Sequence, residues 1–349
     1  MKLIKKDKRM ICKKIIIGVL SILFSFELYS NTVKLGAVVL DDSTSSPMSN
    51  VEVCFSFKED VGWKAWTESS KHHKQYILTN FKGYCQTIGE SNCGQGGCYV
   101  KNPPLGYYHP SLGWKNKYEY KDNLGIWQPD NLVATIRLQR VEHPIPLFVK
   151  NVTLGLDKDV SLLPNGKFYF DFLQGDFLPP LGKGSYADIM FIRDVREDRG
   201  EAENGANVKG RSFRDTIRAC FVGEENGIVE MKGDRGNGIR IRQAPESGYQ
   251  NDYSIWRGVG KDLQCESSYD KDRDFCFRIR TERDAQGVIT KAWYGKIYGD
   301  IKIWAGCNYS VNGVKLLYYL NPTSLDRNLE WDMKTNLCPN PGSLSMPQP

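Results

Sequence analysis

Four arginines fall in two alternating runs, Ile239-Arg240-Ile241-Arg242 and Phe277-Arg278-Ile279-Arg280. Successive side chains of an extended strand point to opposite faces, so each run sets its two guanidinium groups on one face; Cys276 shares the parity of Arg278 and Arg280. Were the two strands neighbours, four cations would repel unless acids or an anion lay among them. Two readings stay open. Arg240, Arg242, Arg278 and Arg280 form a site for the carboxylate, sulfate or phosphate groups of an acidic glycan, since the guanidinium fork matches such oxyanions. Alternatively they pair with Glu and Asp of adjoining strands. A second candidate is aromatic: Tyr99, Tyr107, Tyr108, Trp114, Tyr118, Tyr120 and Trp127 fall within 29 residues of loop-like sequence. Tyr107, Tyr108 and Trp114 would stack on sugars or grip a protein partner if exposed, and would form the small core of a long insert if buried.

Catalytic signatures are sparse. Gly175-DFLPPL-Gly182-Lys183-Gly184 has six residues between its first glycines and a glycine where a phosphate loop needs Ser or Thr. Neither G-x-S-x-G nor H-E-x-x-H occurs. His72, His73, His109 and His143 all precede residue 144, and His72-His73 between Lys71 and Lys74 reads as a solvated basic loop. Two carboxylates ~5–10 Å apart suffice for glycoside cleavage and leave no motif. Asp171, Asp176 and Asp188 therefore stand as candidates for a hydrolase, and as ordinary turn or surface residues otherwise. Asp270-Lys271-Asp272-Arg273-Asp274 opens like a calcium loop, but Phe275 replaces its glycine and Thr281 its closing Glu. No catalytic residue, metal or cofactor is assigned.

The compartment bears on the cysteines. MKLIKKDKRMICKK is basic and is followed by the apolar run Ile15–Phe26, the order of a secretion signal. Twelve residues at ~1.5 Å rise cover roughly 18 Å, short of a ~30 Å hydrocarbon core. Residues 1–30 hold seven basic and two acidic side chains, a net of +5 within the whole chain's +6, so the remainder is near +1. Bulk charge thus gives no case for nucleic acid, and the membrane enters only through the export signal. The expected location is periplasm, cell surface or medium.

Nine cysteines follow the signal: Cys54, Cys85, Cys93, Cys98, Cys220, Cys265, Cys276, Cys307 and Cys338. In an oxidising compartment they read as disulfide partners rather than metal ligands. In Val51–Phe57 the parity puts Val51, Val53, Phe55 and Phe57 on a core face, and Glu52, Cys54 and Ser56 on the outer one. A Cys54–Cys85 bond on that outer face is one expectation, and a Cys93–Cys98 loop closure another. A free, buried Cys54 is the alternative.

The elements that would position these groups are short alternating segments bounded by Gly, Asn, Asp and Pro: Val33–Leu40, Val51–Phe57, Leu132–Leu138, Lys167–Phe172, Asp188–Ile192, Gly238–Arg242, Phe275–Arg280 and Ile301–Trp304. They predict a mainly β protein with few helices. Gly36-Ala37-Val38 with Asp41, then Pro47-Met48 leading to Val51 and Val53, then Thr79-Asn80-Phe81-Lys82-Gly83, make a sequence that resembles the carboxypeptidase regulatory-like (transthyretin-like) β-sandwich. The family pattern is G-x-V-x-D, P-[LM]-x-x-V-x-V and T-[DN]-x-x-G, and here the Asp stands one place late. The resemblance implies an Ig-like accessory or stalk domain without catalysis of its own. FDFLQGDFLPPLGKGSYADIMF and FRIRTERDAQGVITKAWYGKIYGD resemble segments of uncharacterised exported bacterial proteins that pair such a sandwich with a larger β domain.

The expected organisation is a signal at 1–30, a sandwich at 31–140, a β-rich domain at 141–338 and a disordered tail at 339–349. The expected function is binding or accessory, with a glycan or an envelope protein as partner. A carboxylate-dependent glycoside hydrolase and a structural envelope component are the alternatives.

Overall fold

In a computed structural model, the chain is described over residues 31–64, 67–91, 95–108, 114–117, 119–121, 126–128, 132–155, 166–198, 212–232, 241–259, 265–270, 273–305, 311–339 and 341. The expected signal, Cys93, Arg240 and nearly all of the tail lie outside these residues. The described residues are all-β, without a helix. They divide into two compact units: 1–40, 46–102 and 113–136 form the first, and 41–45, 103–112 and 137–349 the second.

The first unit is a β-sandwich. One sheet has the order β4-β1-β9, from β1 (Asn31–Asp41), β4 (Tyr84–Ser91) and β9 (Leu132–Leu138). The other has the order β3-β2-β5-β6, from β2 (Glu52–Lys64), β3 (Thr67–Leu78), β5 (Gln95–Asn102) and β6 (Trp114–Lys117); β7 (Glu119–Lys121) and β8 (Ile126–Gln128) pair as a hairpin. The region read as a loop-like insert thus contains strands, whose aromatic and Gly-rich composition had masked their alternation. Val33, Leu35, Ala37 and Val39 of β1 face Val53, Phe55 and Phe57 of β2, all at most 3% exposed. A Cβ on Gly89 of β4 would lie 2.4 Å from the Phe57 ring, so this glycine is what lets the sheets close.

The turn residues act as their types predict. Thr79 Oγ1 donates to the Met48 carbonyl (2.6 Å) and accepts from the Val51 N–H (3.0 Å). Asn80 Oδ1 accepts from the Lys82 and Tyr84 N–H groups, the Asx geometry that lets Asn nucleate turns. Gly83 sits at φ 68°, where a Cβ would come within 2.5 Å of the Val39 carbonyl oxygen.

The second unit has two larger sheets. The first has the order β15-β18-β19-β21-β10-β22, from β10 (Ile145–Gly155), β15 (Gly227–Lys232), β18 (Arg273–Arg283), β19 (Ile289–Ile297), β21 (Val311–Leu320) and β22 (Trp331–Asn336). β20 (Lys302–Ala305) pairs with β21, and β22 runs parallel to β10. The second has the order β12-β11-β13-β14-β16-β17, from β11 (Lys167–Asp171), β12 (Asp176–Phe177), β13 (Ile189–Asp198), β14 (Ser212–Phe221), β16 (Asp252–Val259) and β17 (Cys265–Ser267). One apolar cluster joins the two sheets, with Phe168, Phe170, Phe172, Phe191 and Phe221 on one side and Phe275, Phe277, Leu316 and Tyr318 on the other. Phe172 stacks on Phe277 at 4.4 Å between centroids, and the Tyr318 hydroxyl donates to the Phe172 carbonyl (2.7 Å). Of the strand expected at Gly238–Arg242, residues 238–240 lie outside the described ones, and Ile241 and Arg242 are in no strand.

Candidate binding face

The described candidate arginines, Arg242, Arg278 and Arg280, do not share a face. Arg278 on β18 is buried and donates to the Glu225 carbonyl from Nε (3.0 Å) and Nη2 (2.6 Å), with the Tyr249 ring 4.7 Å from its guanidinium carbon. Two residues on, Arg280 adopts φ 51°, and the β18–β19 register shifts between Ile279 and Glu282. Such a bulge turns the strand and breaks side-chain alternation, which parity could not foresee. Arg280 therefore reaches Asp188 (2.7 Å) and Asp171 (2.8 Å), with the Tyr186 ring 4.2 Å away. Arg242 pairs with Glu142 at 2.7 Å and also donates to the Arg140 carbonyl. Each described arginine of the set thus has a protein acceptor.

The carboxylates hold turns. Asp171 accepts from the N–H groups of Leu173, Gln174, Ser185 and Tyr186 at 3.0–3.2 Å, besides its ion pair to Arg280. Asp176 accepts from the Lys183 and Phe177 N–H groups, both at 2.9 Å. Asp188 accepts from the Phe172 N–H at 2.8 Å; burial lifts its carboxyl above the usual range against the pull of Arg280. Asp274 is buried in β18, where it accepts from the Gly299 N–H. Among the described residues no three His, Cys, Asp or Glu side chains converge as a metal-ligand set.

Tyr107 and Tyr108 are internal anchors. Tyr108 is 7% exposed and donates to Glu330 (2.9 Å), which also accepts from the Glu142 and His143 N–H groups. Tyr107 donates to Asp41 (2.7 Å), and Arg140 donates to Asp41 at 2.6 Å. Burial works to raise the Asp41 pKa, but hydrogen bonds from Tyr107, Ser43, Arg140 and the Thr44 N–H outweigh it and hold the carboxyl well below its usual range. Trp114 lies on β6 in register with Cys98, and its side chain is outside the described ones.

The cysteines separate by face. Cys54 pairs across the sheet with Tyr76 on β3 and Tyr99 on β5, so it points off the outer face as its parity predicts. It is nevertheless fully buried, beneath those two tyrosines. Hydrogen bonding to the Cys54 thiol, then burial, pushes Tyr99 up to about 12, and the same bond raises Tyr76. Cys85 pairs with Ala37, whose side chain is in the core, so it points into the sandwich. The structure does not bring Cys54 to Cys85, because the sheet holding Cys54 separates their side chains. Cys54, Cys85 and Cys98 are unbonded.

The outer face of β3-β2-β5 is the feature that sequence reasoning missed. Here β3 presents His72, Lys74, Tyr76 and Leu78, in register with Lys58, Ser56, Cys54 and Glu52 of β2. Tyr76 is 43% exposed, and the Lys101 ammonium lies 4.8 Å over its ring. His72 hydrogen-bonds Ser56 (3.3 Å). Period-2 spacing from His72 to Leu78 was the available signal; the run of charge had made the segment look like a basic loop.

No protein-family model matches the chain, and no curated protein does. Among solved structures, the C-terminal domain of the shaft pilin SpaA from Lactobacillus rhamnosus GG aligns with 32% of this chain and 100% of its own, at 12% identity and a TM-score of 0.22. BcpA, the major pilin subunit of Bacillus cereus, aligns over 82% of this chain and 95% of its own, at 9% identity and a TM-score of 0.22. A DUF3823 family protein from Parabacteroides merdae aligns over 82% and 96%, at 5% identity and a TM-score of 0.20. At such scores the likenesses carry no argument about function.

Proposed function

We propose that this chain is an exported, non-catalytic binding protein of the cell envelope, and that it recognises an acidic glycan on the outer face of the β3-β2-β5 sheet. The observation that carries this reading is the row Tyr76–Cys54–Tyr99 with its cations. A half-exposed ring offers a flat apolar platform for a sugar, while Lys74, Lys101 and His72 supply donors for its carboxylate or sulfate. Export is supported by the basic and apolar order of residues 1–30.

The test is a glycan array on the full chain beside the double variant Tyr76→Ala/Lys101→Gln, with a turnover assay on every glycan retained. The expected result is binding of uronate- or sulfate-bearing glycans, weakened about tenfold or more in the variant, roughly what a stacked ring and one charge contact contribute. Retention of no acidic glycan, equal binding by the variant, or cleavage of the bound glycan would each overturn the proposal.

A further inference from the structure

Cys85 and Cys98 both point into the sandwich, from opposite sheets. On β4, Cys85, Gly89 and Ser91 are buried on the inward face; on β5, Cys98 and Val100 are buried and in register with Phe55 and Val53, both in the core. β4 lies over β2 and β3: Ser91 Oγ donates to the Lys58 carbonyl (2.7 Å), Gln75 Nε2 donates to the Ile88 carbonyl (2.9 Å), and Gly89 meets the Phe57 ring. Gln75, Phe55 and Cys98 form one cross-strand row, which Gln75 ties to β4 at Ile88, three residues from Cys85. Ala37, in register with Cys85, is a small residue on the inward face there.

We propose that Cys85 and Cys98 are disulfide partners that pin the two sheets of the first unit together, in place of the Cys54–Cys85 and Cys93–Cys98 bonds expected from sequence. Formation in the cell rests on the export reading, because an oxidising compartment must supply the oxidant. That oxidant is the disulfide of a thiol–disulfide oxidoreductase. One cysteine thiolate attacks it, forming a mixed disulfide and releasing one carrier thiolate. The second cysteine thiolate attacks the mixed disulfide, closing the Cys85–Cys98 bond and releasing the other carrier sulfur. Two protons leave the cysteines, and the carrier departs as a dithiol with the two electrons.

The order of events follows from burial. In the folded sandwich burial pushes the Cys85 thiol up to about 11. Burial, with the nearby Cys85 and Cys54 thiols, pushes Cys98 up to about 12. Thiolate is the reacting species, so exchange in the closed sandwich is slow and the bond forms before the sheets close. Once formed, it is protected by the same burial.

The test refolds the full chain, purified reduced and denatured, in a glutathione redox buffer; free thiols are then alkylated under denaturing conditions and the protein is mapped by peptide mass spectrometry without reduction. The expected result is one linked pair of peptides carrying Cys85 and Cys98, retained in Cys54→Ala and Cys93→Ala variants. In Cys98→Ala, Cys85 should instead be alkylated and the unfolding midpoint should fall by about 10 °C relative to the linked protein. A link from Cys85 or Cys98 to any other cysteine, or alkylation of both in the wild type, overturns the pairing. The same mapping on protein taken directly from cells separates the two premises: a pair that forms on refolding but is reduced in cells sinks the export reading and leaves the pairing standing.

Discussion

Replacing Arg280 with methionine would leave the Asp171 and Asp188 carboxylates, each 1% exposed, without their shared cation. The two acids are not equally exposed to the loss. Asp171 keeps four backbone N–H donors. Asp188 keeps only the Phe172 N–H, and its carboxyl is already lifted by burial. Breaking a buried pair by removing one partner costs about 3–5 kcal/mol, and protonation of Asp188 caps the loss near the lower figure. The pH dependence has a definite sign. A carboxyl whose folded pKa lies above the unfolded value of ~3.9 takes up a proton in the native state first, so in the variant acidification from pH 7 towards 5 favours folding. The Arg280→Met deficit, about 3 kcal/mol at pH 7, should therefore shrink towards pH 5, and adding Asp188→Asn should recover part of it at pH 7. Urea unfolding followed by tryptophan fluorescence at pH 5, 6, 7 and 8 measures this directly. A deficit below about 1 kcal/mol at pH 7, or one that grows on acidification, would refute the account of the ion pair.

Tyr107→Phe removes a donor from Asp41, whose carboxyl is held below its usual range. Its stabilising contribution is present above the unfolded ~3.9 and is lost as pH falls through the lower folded value. The variant should lose about 1 kcal/mol at pH 7 and unfold in acid at a higher pH, the difference narrowing only as pH falls through the depressed folded values, by thermal melts across the acid range. Gly83→Ala forces a Cβ into a left-handed turn and against the Val39 carbonyl; a loss above about 2 kcal/mol in urea unfolding is expected. Gly295→Ala puts a Cβ 2.2 Å from the Phe277 ring and 2.6 Å from the Tyr319 carbonyl oxygen, and should cost at least as much as overpacking does elsewhere, about 1–3 kcal/mol. A Gly295→Ala protein as stable as the wild type would mean the sheet has slack that the packing does not suggest.

The strands were legible where one face is buried and the other wet. Val51, Val53, Phe55 and Phe57 alternate with Glu52 and Ser56 because a sandwich half needs that, and the Thr79-Asn80-Gly83 turn announces itself through backbone chemistry. Reading failed where tertiary context sets the outcome. The parity of Arg278 and Arg280 is broken by one positive φ, a local event that four residues of alternating sequence cannot reveal. His72 and His73 belong to β3, where they pair with Lys58 and Phe57 of β2, a partnership that charge composition conceals. Whether Tyr107 and Tyr108 are exposed or buried stayed open in the sequence since their acceptors, Asp41 and Glu330, are 66 and 222 residues away in the chain.

The second unit draws on chain from three places: residues 41–45, 103–112 and 137–349. A gene fragment opening at codon 141 would encode Glu330 without the Tyr108 that donates to it, and would omit Asp41, Tyr107 and Arg140 altogether. Cutting the chain at any single point therefore leaves that half without part of its own segments.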